Sequence, residues 1–181
     1  MKPVLLIDLD GVIVDLLPMW LAEYAQLSGE HLKVEDITEY HHEKFVRNNA
    51  AWWNALEPAL AKAKPVKGAI QAIERLREFY DMSFVTYCHP AAPRAAQIKT
   101  EWMRNYLGSW TTERMVFVKN KHIIRGDIMI EDCEENLVKW RKHNEPCTTI
   151  LVKAPYNPTG WDWNWIEDSL ISRLMERSDE T

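Results

Sequence analysis

The feature that most constrains the fold is a short apolar segment near the N-terminus that ends in two acidic residues. Residues 3–7 read Pro-Val-Leu-Leu-Ile, without the polar alternation of a strand that has one face in water. Such a run predicts a strand buried on both faces, as in a parallel sheet covered by helices. Asp8 and Asp10 follow directly, so they are predicted to lie at the carboxyl end of this strand.

The rest of the chain alternates between strand and helix patterns. Further short strands are predicted at residues 82–86, 115–118, 128–130 and 148–152. Helices are predicted at residues 69–79, 93–107, 135–143 and 162–177. Strands that alternate with helices indicate crossover connections and a parallel sheet.

One segment breaks this alternation. Residues 16–64 begin with a helical pattern that ends near Gly29 and continue as polar, aromatic-rich sequence with short helices. We therefore predict an α/β fold with a Rossmann-like core, residues 1–15 and 65–181, and a small helical cap, residues 16–64, inserted after the first strand. Residues 178–181 are predicted to form a frayed tail.

Composition excludes several classes of function. The 181-residue chain carries a formal net charge of −5, which gives no long-range attraction for a nucleic-acid backbone. No apolar stretch approaches the roughly 18 residues of a membrane span. An odd number of cysteines without CxxC spacing predicts free thiols in a reducing, cytoplasmic compartment.

Polar residues cluster where the predicted strands end. In open α/β sheets, ligands bind outside the carboxyl ends of the strands. The residues placed there are Asp8, Asp10, Thr86, Lys119, Lys121, Glu131 and Asp132. Their convergence predicts one cleft that holds both carboxylates and lysines.

Asp8 and Asp10 suggest a specific chemistry. Two close carboxylates repel each other unless a cation or a proton lies between them, and Mg²⁺ prefers oxygen ligands of this kind. Asp8 can then attack phosphorus as a nucleophile, while Asp10 protonates the leaving oxygen and later activates water. The alternative is that both residues only cap the next helix.

Four motifs in this order resemble the haloacid dehalogenase (HAD) superfamily of phosphatases. The first is Asp8-Leu9-Asp10-Gly11-Val12, the second is Phe84-Val85-Thr86, the third is Lys121, and the fourth is Ile128-Met129-Ile130-Glu131-Asp132. The resemblance covers almost the whole chain. It implies a HAD-like fold, a phosphomonoester substrate and a Mg²⁺ cofactor.

The resemblance also implies roles for individual residues. Thr86 is expected to donate a hydrogen bond to phosphate, and Lys121 to neutralise its charge. Asp132 is expected to bind the metal with Asp8 and the backbone carbonyl of Asp10, with Glu131 supporting the site. Because Lys119 and Lys121 are alternate residues, both are expected to face the cleft. In a second alignment of the fourth motif, Asp127 replaces Glu131 as its first acidic residue.

Narrower features resemble the 5'(3')-deoxyribonucleotidase family within this superfamily. The segment Trp52-Trp53-Asn54-Ala55-Leu56-Glu57-Pro58 resembles the part of that family's cap that lines the base pocket. Since adjacent residues of a helix cannot both point inward, Trp53 is expected to face the substrate and Trp52 the core. Tyr87 stands where relatives carry Ser and is expected to contact phosphate or sugar. Trp161, Trp163 and Trp165 are expected to serve packing.

The predicted function is therefore magnesium-dependent hydrolysis of a nucleoside monophosphate. Three alternatives remain at this point. The first is a phosphatase for a sugar phosphate or another metabolite, and the second is a catalytically inactive nucleotide-binding module. The third is a domain that acts on nucleic-acid ends, which the acidic charge disfavours. The sequence leaves a homodimer open.

Overall fold

The computed structural model describes residues 2–179 and contains a five-stranded parallel sheet. Its strands are β1 (Val4–Ile7), β4 (Asp81–Thr86), β5 (Met115–Phe117), β6 (Ile128–Glu131) and β7 (Thr148–Leu151). They lie in the order β5-β4-β1-β6-β7, so the strand order reverses beside β1. The predicted α/β, Rossmann-like fold is confirmed, and the reversal defines where a ligand cleft forms in such sheets.

The central strand β1 is buried on both faces, as its apolar sequence predicts. Leu5 and Ile7 belong to the main hydrophobic cluster, while Leu6 packs on the other face with Val85 and Met129. All three β1 residues are at most 1% exposed. Because the side chains of β1 pack into hydrophobic clusters on both faces of the sheet, the first polar residue, Asp8, comes only after the strand has ended.

Helices cover the two faces of the sheet and connect its strands. They are α1 (Leu16–Ser28), α2 (Asn49–Asn54), α3 (Leu56–Lys62), α4 (Ala69–Leu76), α5 (Ala95–Leu107), α6 (Glu134–Asn144) and α7 (Trp163–Asp179). The predicted helices of the core are all present, with ends that differ by at most three residues. The predicted tail overlaps α7, which continues to Asp179; residues 180 and 181 lie outside the described residues.

The segment between residues 16 and 64 is mainly helical, and two strands that the sequence did not predict mark its ends. β2 (Val14–Asp15) and β3 (Lys64–Pro65) pair antiparallel where the chain leaves and rejoins the sheet region. Two residues per strand are too few for a periodic sequence signal. The buried residues of this segment belong to the same hydrophobic cluster as β1. Its separate status as a cap domain stays a prediction.

The C-terminal tryptophans differ in their surroundings. Trp163 is 1% exposed, and its indole N–H donates to the backbone carbonyl of Val12 at 2.8 Å, tying α7 to the loop after β1. Trp161 and Trp165 are 45% and 40% exposed and stack on each other. The packing prediction therefore holds for Trp163. Trp161, which precedes α7, and Trp165, in the first turn of α7, lie at the surface.

Two further sequence predictions can be compared with the structure. Cys88, Cys133 and Cys147 are free, as predicted. Among the described residues, no helix is long and apolar enough to cross a membrane.

The contact between Trp163 and Val12 leads to a stability prediction. Trp163→Phe removes the indole donor and leaves a buried carbonyl unpaired, which should lower the free energy of unfolding by about 1–3 kcal/mol. Trp161→Phe is the matched control and should change it by less than about 0.5 kcal/mol. Urea unfolding measures both values. Equal effects of the two substitutions would contradict the assigned role of the buried bond.

Candidate active site

The carboxyl ends of β1, β4 and β6 meet at one cleft of about 540 Å³. It is lined by nearly all the residues that the sequence predicted for the site: Asp8, Asp10, Trp53, Thr86, Tyr87, Lys119, Lys121 and Asp132. Glu131 lies directly behind them and is fully buried. The topology thus brings residues from distant parts of the chain to one sheet edge.

Lys121 is held between two carboxylates. Its ammonium nitrogen lies 2.6 Å from Asp8 Oδ1 and 2.7 Å from Glu131 Oε2. Burial by itself would lower the pKa of Lys121, but the adjacent charges of Asp8 and Glu131 outweigh it and the pKa is raised. The lysine therefore stays protonated and places a fixed positive charge beside Asp8.

Asp132 is oriented by the turn that follows β7. The hydroxyl of Tyr156 donates to Asp132 Oδ2 at 2.5 Å, and the side-chain amide of Asn157 donates to the backbone carbonyl of Asp132. Burial, together with the nearby charge of Asp8, raises the pKa of Asp132 to about 7. Its second oxygen, Oδ1, is buried and has no hydrogen-bond partner among the described residues.

Asp10 is bound by a second buried lysine, Lys99 of α5. Lys99 is 2% exposed, and its ammonium group donates to Asp10 Oδ2 at 2.5 Å, to Thr86 Oγ1 at 2.8 Å and to the backbone carbonyl of Tyr87 at 2.7 Å. Burial raises the pKa of Asp10, while Lys99 opposes the shift. The other oxygen, Asp10 Oδ1, has no partner among the described residues.

Gly11 allows these groups to approach each other closely. Its φ of +76° lies in the left-handed region, and a Cβ atom built on it would overlap the Asp132 carboxylate and lie 2.8 Å from the Tyr156 hydroxyl. A side chain at this position would therefore displace Asp132. The glycine of the first motif is required by space as well as by backbone conformation.

The arrangement fits a divalent cation. Oxygen atoms of Asp8, Glu131 and Asp132 lie within 4.8 Å of one another. With Asp10 added, four carboxylates face the two ammonium groups of Lys99 and Lys121, which leaves two excess negative charges when all are ionised. The free oxygen of Asp132 and the hard oxygen donors suit a cation of the magnesium type.

The contacts of Glu131, Lys119 and Tyr87 add detail to the roles predicted for them. Glu131 accepts hydrogen bonds from Lys121 and from the backbone N–H of Cys133, so its oxygens are already engaged. Lys119 is exposed, with its nitrogen 5.9 Å from the centre of the Tyr87 ring. Both Lys119 and Tyr87 line the cleft, and Lys121 lines it as well, in keeping with the alternate spacing of the two lysines.

Asp127 lies away from this cleft. Its Oδ2 accepts the backbone N–H of Val4 at 2.7 Å, at the amino ends of β1 and β6. Asp132 follows the opposite, carboxyl end of β6. The second alignment of the fourth motif, which would use Asp127 as its first acidic residue, is therefore not supported by the structure.

The adjacent tryptophans of α2 point to different places. Trp52 is fully buried and stacks on Trp20, with ring centres 4.1 Å apart. Trp53 lines the cleft and stacks in parallel on His89, with ring centres 3.9 Å apart. Trp52 also borders the cleft although it has no exposed surface, so the expected division between a core residue and a substrate-facing residue stays a prediction. One face of Trp53 is already covered by His89.

Sequence reasoning missed three residues of the site. Tyr156 and Asn157 belong to none of the motifs, and their contact with Asp132 depends on where the turn after β7 folds. Lys99 left a clearer signal, because the buried stripe of α5 consists of Ala95, Lys99, Trp102, Met103 and Leu107. A lysine on the apolar face of an amphipathic helix indicates a buried charge with a partner.

The parallel sheet with an acidic cleft at its carboxyl edge has the HAD-like fold. The fold matches a haloacid-dehalogenase-like hydrolase from Streptococcus pneumoniae with a TM-score of 0.56 and 10% identity, over 84% of this chain and 85% of that chain. A haloacid-dehalogenase-like hydrolase from Xanthomonas campestris gives a TM-score of 0.57 at 10% identity, over 99% and 95% of the two chains.

Sequence comparison assigns the chain to one family with this fold. Residues 2–172 match the profile of the family described as "5' nucleotidase, deoxy (Pyrimidine), cytosolic type C protein", and the chain belongs to this family. It is 31% identical to the 5'(3')-deoxyribonucleotidase of Bacillus subtilis, over 94% of this chain and 100% of that protein. The protein of the same name from Bacillus phage SPbeta gives the same values. The predicted resemblance is confirmed, as is the prediction of an enzyme that hydrolyses phosphomonoesters.

The raised pKa values predict how pH and cation binding are linked. Burial raises the pKa of Asp10, Glu131 and Asp132, so the metal-free folded state binds protons more tightly than the unfolded state. The contribution of these groups to stability therefore falls as pH rises above their ordinary pKa values, and for Asp132 this fall lies between about pH 4 and about pH 7. A divalent cation requires the ionised carboxylates and should reverse this loss.

We therefore expect MgCl₂ to raise the melting temperature more at about pH 8 than at about pH 5.5. Thermal unfolding with and without the salt, at both pH values, measures the difference. Asp132→Asn should remove most of the magnesium effect, because the amide cannot ionise. Equal stabilisation at both pH values would contradict the linkage.

Proposed function

We propose that this protein is a 5'(3')-deoxyribonucleotidase that hydrolyses nucleoside monophosphates to nucleoside and phosphate with the help of Mg²⁺. Family membership and the names of the relatives from Bacillus subtilis and phage SPbeta support this substrate class. The observation that carries the proposal is the buried carboxylate of Asp8, held by Lys121 and within 4.8 Å of Asp132. A phosphate monoester would supply further oxygen ligands for the metal ion beside these carboxylates.

The proposed reaction has two steps. The Asp8 carboxylate attacks phosphorus, the bond from phosphorus to the nucleoside oxygen breaks, and an aspartyl phosphate forms. Asp10 gives its proton to the leaving oxygen. Asp10 then takes a proton from water, which attacks phosphorus and releases phosphate from Asp8. Lys121 and the hydroxyl of Thr86 bind phosphoryl oxygens throughout.

Mg²⁺ would be held by the carboxylates of Asp8 and Asp132 and by the backbone carbonyl of Asp10. When bound, it neutralises charge on the phosphoryl oxygens and lets the anionic substrate approach an anionic nucleophile. Glu131 supports the site through Lys121, whose charge it helps to maintain. The free thiols fit the reducing cytoplasm, which we propose as the compartment.

The aromatic side of the cleft suits a base. Its volume of about 540 Å³ lies within the range of small-ligand sites, and Trp53, His89 and Tyr87 line one wall. Since His89 covers one face of Trp53, we propose that the base meets this ring pair as a unit. Lys119 at the rim adds a positive charge to the approach of the phosphate.

Phosphate release from a panel of compounds tests the proposal. Deoxynucleoside monophosphates should be hydrolysed with higher kcat/KM than sugar phosphates, and only with added magnesium. Asp8→Asn should lower kcat by about 10⁴-fold or more, because the nucleophile is removed.

Asp127→Asn is the matched control. It makes the same chemical change at the opposite edge of the sheet and should retain activity. A preference for sugar phosphates would favour the metabolite phosphatase instead. An inactive wild-type protein that still binds nucleotide would favour the binding module, and full activity of Asp8→Asn would reject the assigned nucleophile.

Trp53→Ala tests the position of the base. Loss of a stacking ring should raise KM for a nucleoside monophosphate by about 10-fold, since stacking contributes about 1–3 kcal/mol per base. KM for ribose 5-phosphate, which has no base, should stay unchanged. Trp165→Ala removes an exposed tryptophan elsewhere and serves as the control. A similar rise in KM for both substrates would place the base outside this wall.

A further inference from the structure

Lys99 is the most fully bonded charged group of the cleft, and it comes from a part of the chain that none of the four motifs includes. Its three ammonium protons have three acceptors: Asp10 Oδ2, Thr86 Oγ1 and the backbone carbonyl of Tyr87. An ammonium group has three donors and no acceptor. Lys99 is therefore saturated and, at 2% exposure, closed to solvent.

This saturation separates Lys99 from Lys121. Lys121 contacts the carboxylates of Asp8 and Glu131 and lines the cleft, where a phosphoryl group would lie. All three donors of Lys99 are used within the protein. It can act on the substrate only through the groups that it holds.

The bonds of Lys99 determine which hydrogen-bonding atoms of Thr86 and Asp10 remain free. Thr86 Oγ1 must accept from Lys99, so the hydroxyl proton of Thr86 remains available to donate elsewhere. Asp10 uses Oδ2 for Lys99, whereas Oδ1 is buried and has no partner among the described residues. The bond to the Tyr87 carbonyl anchors both groups to the end of β4.

We propose that Lys99 is a positioning residue for the reaction. It holds the Asp10 carboxyl with Oδ1 directed to the leaving oxygen and the Thr86 hydroxyl with its proton directed to the phosphoryl group. The inference rests on the proposed function, because it assumes that Asp10 acts as the acid. It adds a helix of the core, α5, to the machinery that transfers the proton.

A comparison of leaving groups tests this role. Nucleoside 5'-alkoxide is a poor leaving group that needs the proton from Asp10, whereas p-nitrophenolate leaves without it. In Lys99→Met, kcat/KM should fall by about 100-fold for the nucleoside monophosphate and by less than about 10-fold for p-nitrophenyl phosphate. Asp10→Asn should change the ratio of the two values in the same direction.

The control is Lys62→Met, which removes another lysine paired with a nearly buried carboxylate, Glu23, away from the cleft. It should leave the ratio unchanged. Circular dichroism and thermal unfolding report whether each variant is folded. If Lys99→Met does not fold, Lys99→Gln is read in the same way, because its amide has two donors but lacks the charge and cannot make all three bonds.

Several results would overturn the proposal. Equal loss with both substrates would make Lys99 a general structural residue, and loss of the fold in both Lys99 variants would lead to the same conclusion. Wild-type activity in Lys99→Met would show that Asp10 needs no such support. The failure of the proposed function itself is distinguishable, because Asp8→Asn would then remain active or the wild-type protein would not release phosphate.

Discussion

The structure depends on four carboxylates and two buried lysines held together at one edge of a parallel sheet. Like charges this close would repel each other strongly in a low-dielectric interior. Lys99 and Lys121 offset part of the repulsion, and the two remaining negative charges match the divalent cation proposed above.

In this fold, the strands supply most of the site residues, and helices and turns orient their side chains. β1 contributes Asp8 and the loop with Asp10, β4 contributes Thr86, and β6 contributes Glu131 and is followed by Asp132. β1 is apolar throughout and β6 is apolar up to Glu131, so the burial of these two strands fixes where their polar residues emerge. Elements outside the sheet then set the orientation of individual side chains. Lys99 comes from α5, and Tyr156 comes from the turn after β7.

The aromatic wall of the cleft is continuous with the packing of the helical segment. Trp52 stacks on Trp20 and stabilises the helical segment, while Trp53 and His89 present their ring pair to the cleft. The helical segment shares its hydrophobic cluster with the sheet. The wall of the cleft and the packing of the segment therefore use neighbouring residues of the same short helix.

The sequence by itself determined the parallel sheet, the order of the strand-end motifs and most residues of the cleft. It did so because buried strands need continuous apolar runs, and a polar residue ends such a run at a definite position. Only the tertiary structure decided that Lys99 bonds Asp10, that Tyr156 bonds Asp132, that His89 covers Trp53 and that Asp127 lies at the opposite edge. These contacts join residues whose separation along the chain carries no periodic signal. Their geometry depends on how helices and turns pack against the sheet, which local patterns do not encode.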